Sequence, residues 1–163
     1  MRKIFLSLLV LVTISSVAQD LPKNYASLLK EVEPELIAWR RHFHEFPELS
    51  NREVNTGKYI ADFLKTLPNL EVRYPVAKTG VVAVLKGGKP GAVIALRADI
   101  DALPVYERVA IPFASKVTTE FNGQKVNVMH ACGHDSHTAM LMATAKMLSA
   151  MQKEVPGTIV FLF

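Results

Sequence analysis

The run Ala92-Val93-Ile94-Ala95-Leu96 is apolar at every position, and it constrains the chain more than any other stretch. A strand alternates its side chains between two faces, so an unbroken apolar run calls for cover on both. The expected place for it is the centre of a sheet flanked by helices. Its surroundings agree. Gly87-Gly88-Lys89-Pro90-Gly91 forms a turn before it, and two short β-branched runs, 70–74 and 80–86, come earlier. Residues 28–46 carry Leu28, Leu29, Val32, Leu36 and Trp39 near helical spacing and should stop before Pro47. Ser50 and Glu53 have the form of a capping box for a second helix over 52–67, which should bury Val54, Ile60, Phe63, Leu64 and Leu67. Residues 102–128 read as a long loop with a short hairpin at Asn122-Gly123. A helix over 136–151 and a strand over 158–163 follow, parted by Pro156-Gly157. The order helix, helix, strands, loop, helix, strand predicts an α/β fold, a three-layer sandwich with a mixed sheet.

The first residues stand apart. Arg2 and Lys3 precede the apolar run 4–12, and Ser16 and Ala18 are spaced like an export cleavage site. Residues 1–18 therefore read as a signal peptide, too short in its apolar part for a bilayer span of roughly 20 residues. The expected location is the periplasm or the medium, with no membrane attachment after cleavage. The alternative is an N-terminal membrane anchor. Residues 19–163 then form the remaining domain. Of 19 basic residues, two are Arg2 and Lys3, leaving 17 against 15 acidic ones. So small an excess argues against nucleic acid as a partner. The chain stops inside the apolar run 158–163, which predicts the N-terminal part of a longer protein.

The chemistry is concentrated in Met129-His130-Ala131-Cys132-Gly133-His134-Asp135-Ser136-His137. It holds the only cysteine and three of the five histidines. A lone cysteine in an exported chain makes no internal disulfide, so it is a buried small hydrophobe or a functional thiolate. Thiolate and imidazole both suit zinc and other divalent transition metals. Gly133 lets the backbone turn sharply, so Cys132 and His134 can point into one cavity. Asp135 and Ser136 can cap the helix that follows. His130 and His137 are candidates for substrate binding or for ordinary structural roles. His42 and His44 read as packed or exposed helical histidines, and Arg40-Arg41 as a solvated helix face.

Asp99 and Asp101 stand just past the apolar strand, where ligand crevices lie in open α/β sheets. Alternation would let Arg97, Asp99 and Asp101 face one site. A carboxylate there can orient a ligating imidazole. Otherwise Arg97 pairs with one aspartate and the other caps a turn. A cysteine hydrolase with Cys132 as nucleophile is the rival chemistry, but a base only two residues away is hard to aim at the thiolate.

Three strings occur here in the order in which one family carries them. They are Arg40-Arg41-x-x-His44-x-x-Pro47-Glu48-Leu49, Leu96-Arg97-Ala98-Asp99-Ile100-Asp101-Ala102-Leu103-Pro104, and the segment Met129 to His137. The chain resembles, over 33–163, the amidohydrolase branch of the aminoacylase and carboxypeptidase G metallopeptidase family. Members include N-acyl-amino-acid amidohydrolases, hippurate hydrolases and plant auxin-conjugate hydrolases. The resemblance implies a catalytic α/β domain with two divalent ions (zinc, manganese, cobalt or nickel) and an inserted dimerisation domain, hence a homodimer. It implies a small N-acyl amino acid or similar conjugate as substrate. Cys132 and His134 match two metal ligands. Asp101 matches the aspartate that orients the site from behind the ligands, and Asp99 falls where the wider family has a ligating histidine. A Gln-Pro-Ala-Glu-Glu segment bearing the general base, and two further ligating histidines, would follow Phe163. Taken alone, the chain would then be a catalytically incomplete piece with a partial metal site.

Overall fold

The structure is a computed structural model that describes residues 22–163. The expected signal peptide, 1–18, lies outside the described residues. The chain runs through α1 (Tyr25–Glu45), α2 (Val54–Lys65), β1 (Leu70–Val76), β2 (Gly80–Lys86), β3 (Lys89–Arg97), β4 (Thr118–Phe121), β5 (Gln124–Asn127), α3 (His134–Ala150) and β6 (Pro156–Leu162). Among the described residues no helix is long and apolar enough to cross a membrane.

Four strands form the main sheet in the order β1-β2-β6-β3. β2 is antiparallel to both β1 and β6, whereas β3 and β6 are parallel, joined through α3. The sheet is mixed and the class α/β, as the sequence predicts. Alternate residues of β2 (Val81, Ala83, Leu85) and of β6 (Ile159, Phe161) share one core with all three helices, through Trp39 and Phe43, Ile60 and Leu64, and Met142. The other face, which Val82, Val84, Val160 and Leu162 present, is only half-buried. The described residues thus supply the sheet and one helical layer of the expected three.

Two readings of single elements change. The apolar strand is not central among the described residues: β6 inserts between β2 and β3, leaving β3 at the sheet edge with Val93 72% and Ile94 51% exposed. An apolar run reports a need for cover, not its source. The Ser50–Glu53 capping box also does not form. Glu48 takes its place, its carboxylate accepting from the N–H groups of Asn55 (3.3 Å) and Thr56 (2.8 Å) in the first turn of α2. This satisfies orphan donors and sets a negative charge at the positive end of the helix. Glu53 turns away to accept from Asn51 N–H and Thr79 Oγ1. Val54, at the helix start, is exposed rather than buried.

The loop before α3 is long, as expected, and carries the β4–β5 hairpin on Asn122 and Gly123, both at positive φ. β3 and β6 approach so closely at Gly157 that a Cβ there would lie 1.9 Å from the Ala92 carbonyl oxygen. That contact lies near the amino ends of the two parallel strands, and the pairing runs on to Arg97 and Leu162, which sets their carboxyl ends side by side.

Candidate metal centre

A cavity of about 490 Å³ opens beyond those strand ends, lined by Arg97, Asp99, Asp101, Glu53, Leu162 and Phe163 among others. This is the crevice position expected of an open α/β sheet. Ala98 and Ile100 are buried, so the alternate residues Asp99 and Asp101 turn toward the cavity. Their environments differ. Asp99 Oδ1 accepts from Arg97 Nε (2.9 Å) and Nη2 (2.6 Å) in an exposed pair. Its main-chain oxygen accepts from Thr138 Oγ1 (3.1 Å), which ties the strand end to α3. Arg97 therefore takes one of the two aspartates, and Asp101 is left for other work.

Asp101 meets His134. The Nδ1 of His134 lies 2.9 Å from the main-chain oxygen of Asp101 and 3.1 Å from its carboxylate Oδ1. Two oxygens facing one ring nitrogen place the proton on it. Nε2 then keeps its lone pair, the tautomer a metal-ligating imidazole needs. His134 is the first residue of α3, and Gly133 before it has φ 86°, in the left-handed region. Cys132, exposed, stands two residues before His134 on the other side of that sharp turn. His137 is exposed, its ring centroid 6.3 Å from that of His134.

His130 is buried at 5% exposure, and neither ring nitrogen has a hydrogen-bond partner among the described residues. Burial pushes its pKa down to about 4, against the pull of Asp135. It is a neutral imidazole at pH 7 with both nitrogens unspent. Buried polar groups are almost always paired, so such a ring belongs to a site that something else completes.

Behind the helix mouth stands a buried charged cluster that sequence reasoning missed. His44 Nδ1 lies 2.8 Å from Asp135 Oδ2, and His44 Nε2 lies 2.8 Å from Glu107 Oε2. Arg40 Nε reaches the same Asp135 oxygen at 3.1 Å. The guanidiniums of Arg40 and Arg41 each lie over the Phe113 ring, 5.1 Å from its centroid. Arg40 is thus half-buried and drawn into the cluster, whereas Arg41 stays exposed, as a solvated face predicts, and touches the loop through Phe113. Burial alone would push the Glu107 carboxyl up, but the N–H of Val109 and the ring of His44 outweigh it and hold it below its ordinary value. A second cavity of about 490 Å³, between α1 and α2, is lined by His42, Phe46 and Tyr59, with Glu48 its one carboxylate.

A free thiol and an imidazole with its Nε2 open are donor chemistry that suits a divalent transition metal. Among the described residues, no three His, Cys, Asp or Glu side chains stand together as one ion would need. The described residues fit a metal centre as two of its ligands and their supports.

Comparison with known proteins points the same way. Residues 95–163 match the peptidase family M20/M25/M40. The chain is 47% identical over 136 residues to an N-acyl-L-amino acid amidohydrolase of Geobacillus stearothermophilus, covering 83% of this chain and 34% of that protein. It is 48% identical over 128 residues to an N-acetylcysteine deacetylase of Bacillus subtilis, covering 78% and 32%. Among solved structures, the Bacillus subtilis YXEP protein, described as a dinuclear metal-binding peptidase of the M20 family, superposes with a TM-score of 0.72 at 47% identity. The match covers 82% of this chain and 35% of that one. The chain spans about a third of the length of these relatives.

Proposed function

Because this chain belongs to the peptidase family M20/M25/M40, we propose that it builds one wall of the active site of a metal-dependent amidohydrolase acting on N-acyl amino acids or similar small conjugates. The observation that carries the reading is the pairing of His134 Nδ1 with both oxygens of Asp101 beside a free thiol across the Gly133 turn. A purely structural histidine has no need of so fixed a tautomer next to an exposed cysteine.

Cys132 and His134 would hold metal, the first through its thiolate and the second through Nε2. Asp101 keeps the His134 proton on Nδ1 and fixes the ring plane. Two divalent ions, when bound, supply Lewis acidity for the amide carbonyl and for water activation. Zinc, manganese, cobalt and nickel all suit a thiolate–imidazole pair. His130, neutral and buried, offers one N–H donor and one acceptor to substrate. Asp99, already charge-balanced by Arg97, borders the strand-end cavity, and exposed His137, its ring 6.3 Å from that of His134, is a further candidate for substrate contact. Export of the protein is part of the proposal and rests on Arg2, Lys3 and the apolar run 4–12.

The test is Cys132→Ala in the full-length protein, read by metal content and by hydrolysis of N-acetyl amino acids. Loss of both is the expected outcome. Persistence of both would falsify the assignment.

A further inference from the structure

We propose that Glu107 and His44 are positioning residues of this metal centre, acting on His134 through Asp135. The inference rests on the metal-centre reading above and adds residues that touch neither ligand.

The geometry is one of forced orientation. Both ring nitrogens of His44 face carboxylate oxygens at 2.8 Å. A carboxylate only accepts, so each short contact asks its ring nitrogen to donate, and the ring is gripped between two carboxylates. Its turn about the ring axis is fixed, because either rotation breaks a charged hydrogen bond. Asp135 is fixed just as firmly: Oδ2 receives His44 and Arg40, while Oδ1 accepts from Ser136 N–H at 2.8 Å. With both oxygens engaged, the carboxylate cannot rotate without loss. Glu107 is anchored in turn by Val109 N–H, 3.1 Å from Oε1. All three residues are buried, His44 at 4%, Asp135 at 1% and Glu107 at 8% exposure, so water cannot replace a broken link.

The consequence falls on His134, next to Asp135 in the first turn of α3. Asp101 holds its ring from the cavity side, and Asp135 holds its backbone from the other. The same loop that carries Glu107 begins at Asp101 and is pinned to the ligand segment by two backbone hydrogen bonds between Leu103 and Met129, each 3.0 Å. Glu107 and His44 thus couple α1 and the loop to the position of Nε2.

Mere glue for the loop would alter stability without altering the metal. The experiment therefore reads the metal directly, by cobalt(II) titration of the full-length protein followed in the thiolate charge-transfer and ligand-field bands. Circular dichroism confirms that each variant is folded. Glu107→Ala should raise the cobalt Kd by about 10-fold, the lower end of the effect of outer partners of metal ligands, and shift the ligand-field bands. Glu107→Gln, which keeps the length and one acceptor oxygen for either His44 Nε2 or Val109 N–H but not both, should give a Kd between wild type and Glu107→Ala. If Glu107→Ala does not fold, Glu107→Asp, which withdraws the carboxylate by one methylene, takes its place with the same expected direction. A folded Glu107→Ala or Glu107→Asp with the wild-type Kd and spectrum overturns the proposal and leaves the metal centre standing. A wild-type protein that takes up no cobalt overturns the metal centre and this proposal with it.

Discussion

Two clusters of carboxylates and cations flank the helix mouth, built from similar residues and placed in opposite surroundings. Arg97 and Asp99 pair on the cavity side with side chains 74% and 45% exposed. Arg40, His44, Asp135 and Glu107 pair behind α3, the last three almost fully buried. In water an ion pair contributes about 0–1 kcal/mol, because solvent competes and side-chain freedom is lost. In the buried cluster each member depends on its partners, since removing one strands a charge that water cannot reach. The lesson is one of division of labour. The back wall is stiff and fixes where His134 stands, while the strand-end pair is open to solvent that competes for both of its members.

The largest effect expected from this contrast is that of His44→Ala. It leaves Glu107 without its ring partner and Asp135 with only Arg40 and the Ser136 N–H, and should cost about 3–5 kcal/mol of folding stability. Urea unfolding of the metal-free protein measures it. A loss below about 1 kcal/mol, the scale of an exposed pair, would erase the distinction between the two clusters. Phe113→Ala comes next. Its ring receives both guanidiniums and lies edge-on to His44, with centroids 5.8 Å apart. Cation–π contacts contribute about 0.5–1 kcal/mol each at partly exposed sites, so a loss of about 1–2 kcal/mol is expected by thermal unfolding. A larger loss would mean that the ring, not the ions, is the keystone of the back wall.

The sequence made one of these walls visible and hid the other. The segment of Cys132, Gly133 and His134 stood out because ligand types crowd into a few residues, and Asp99 and Asp101 because both follow an apolar strand. The elements were legible as well: the apolar spacing of α1, the stop at Pro47 and the turn at Asn122-Gly123 all stand where periodicity and turn chemistry put them. The buried cluster was not. Arg40 and His44 lie one turn apart on α1, but no local pattern connects them to positions 107 and 135. Glu107 sits in an irregular loop, where a glutamate has no periodicity to betray its burial. The place of β3 was missed for a related reason. Its apolar run states that the strand needs cover, but strand order depends on where β6 returns, a long-range fact. The helix cap was missed because Ser50 and Glu53 satisfy the capping pattern, yet Glu48 reaches the same N–H groups from outside it.

Arg97→Ala probes the loose wall. Asp99 is left exposed to solvent that can serve in place of the guanidinium, so the expected stability loss is below about 1 kcal/mol. Raising the salt concentration should shrink even that, while leaving the effect of His44→Ala nearly unchanged, because screening acts mainly on exposed charges. Urea midpoints at low and high salt measure both. Equal salt sensitivity in the two variants would show that water reaches the back wall.

The smallest effect expected lies at the far side of α1 and follows acid rather than mutation alone. His42 stacks on Tyr59, ring centroids 4.3 Å apart, and this burial lowers its pKa below the ordinary 6.5, against the pull of Glu45. His130 is lowered by burial too, down to about 4. For both, the unfolded chain takes up the proton first, so stability is full above pH 6.5 and falls as the pH drops below it. Glu107, held below its ordinary 4.5, adds a further loss only under that value. His42→Gln should therefore make the fall in urea midpoint between pH 6.5 and 5 shallower without abolishing it, because His130 still resists its proton. If the slopes match throughout, His42 protonates as freely in the fold as in the open chain. The aromatic cleft between α1 and α2 is then wet, leaving the cluster behind α3 and the unpartnered His130 as the dry interior of this wall.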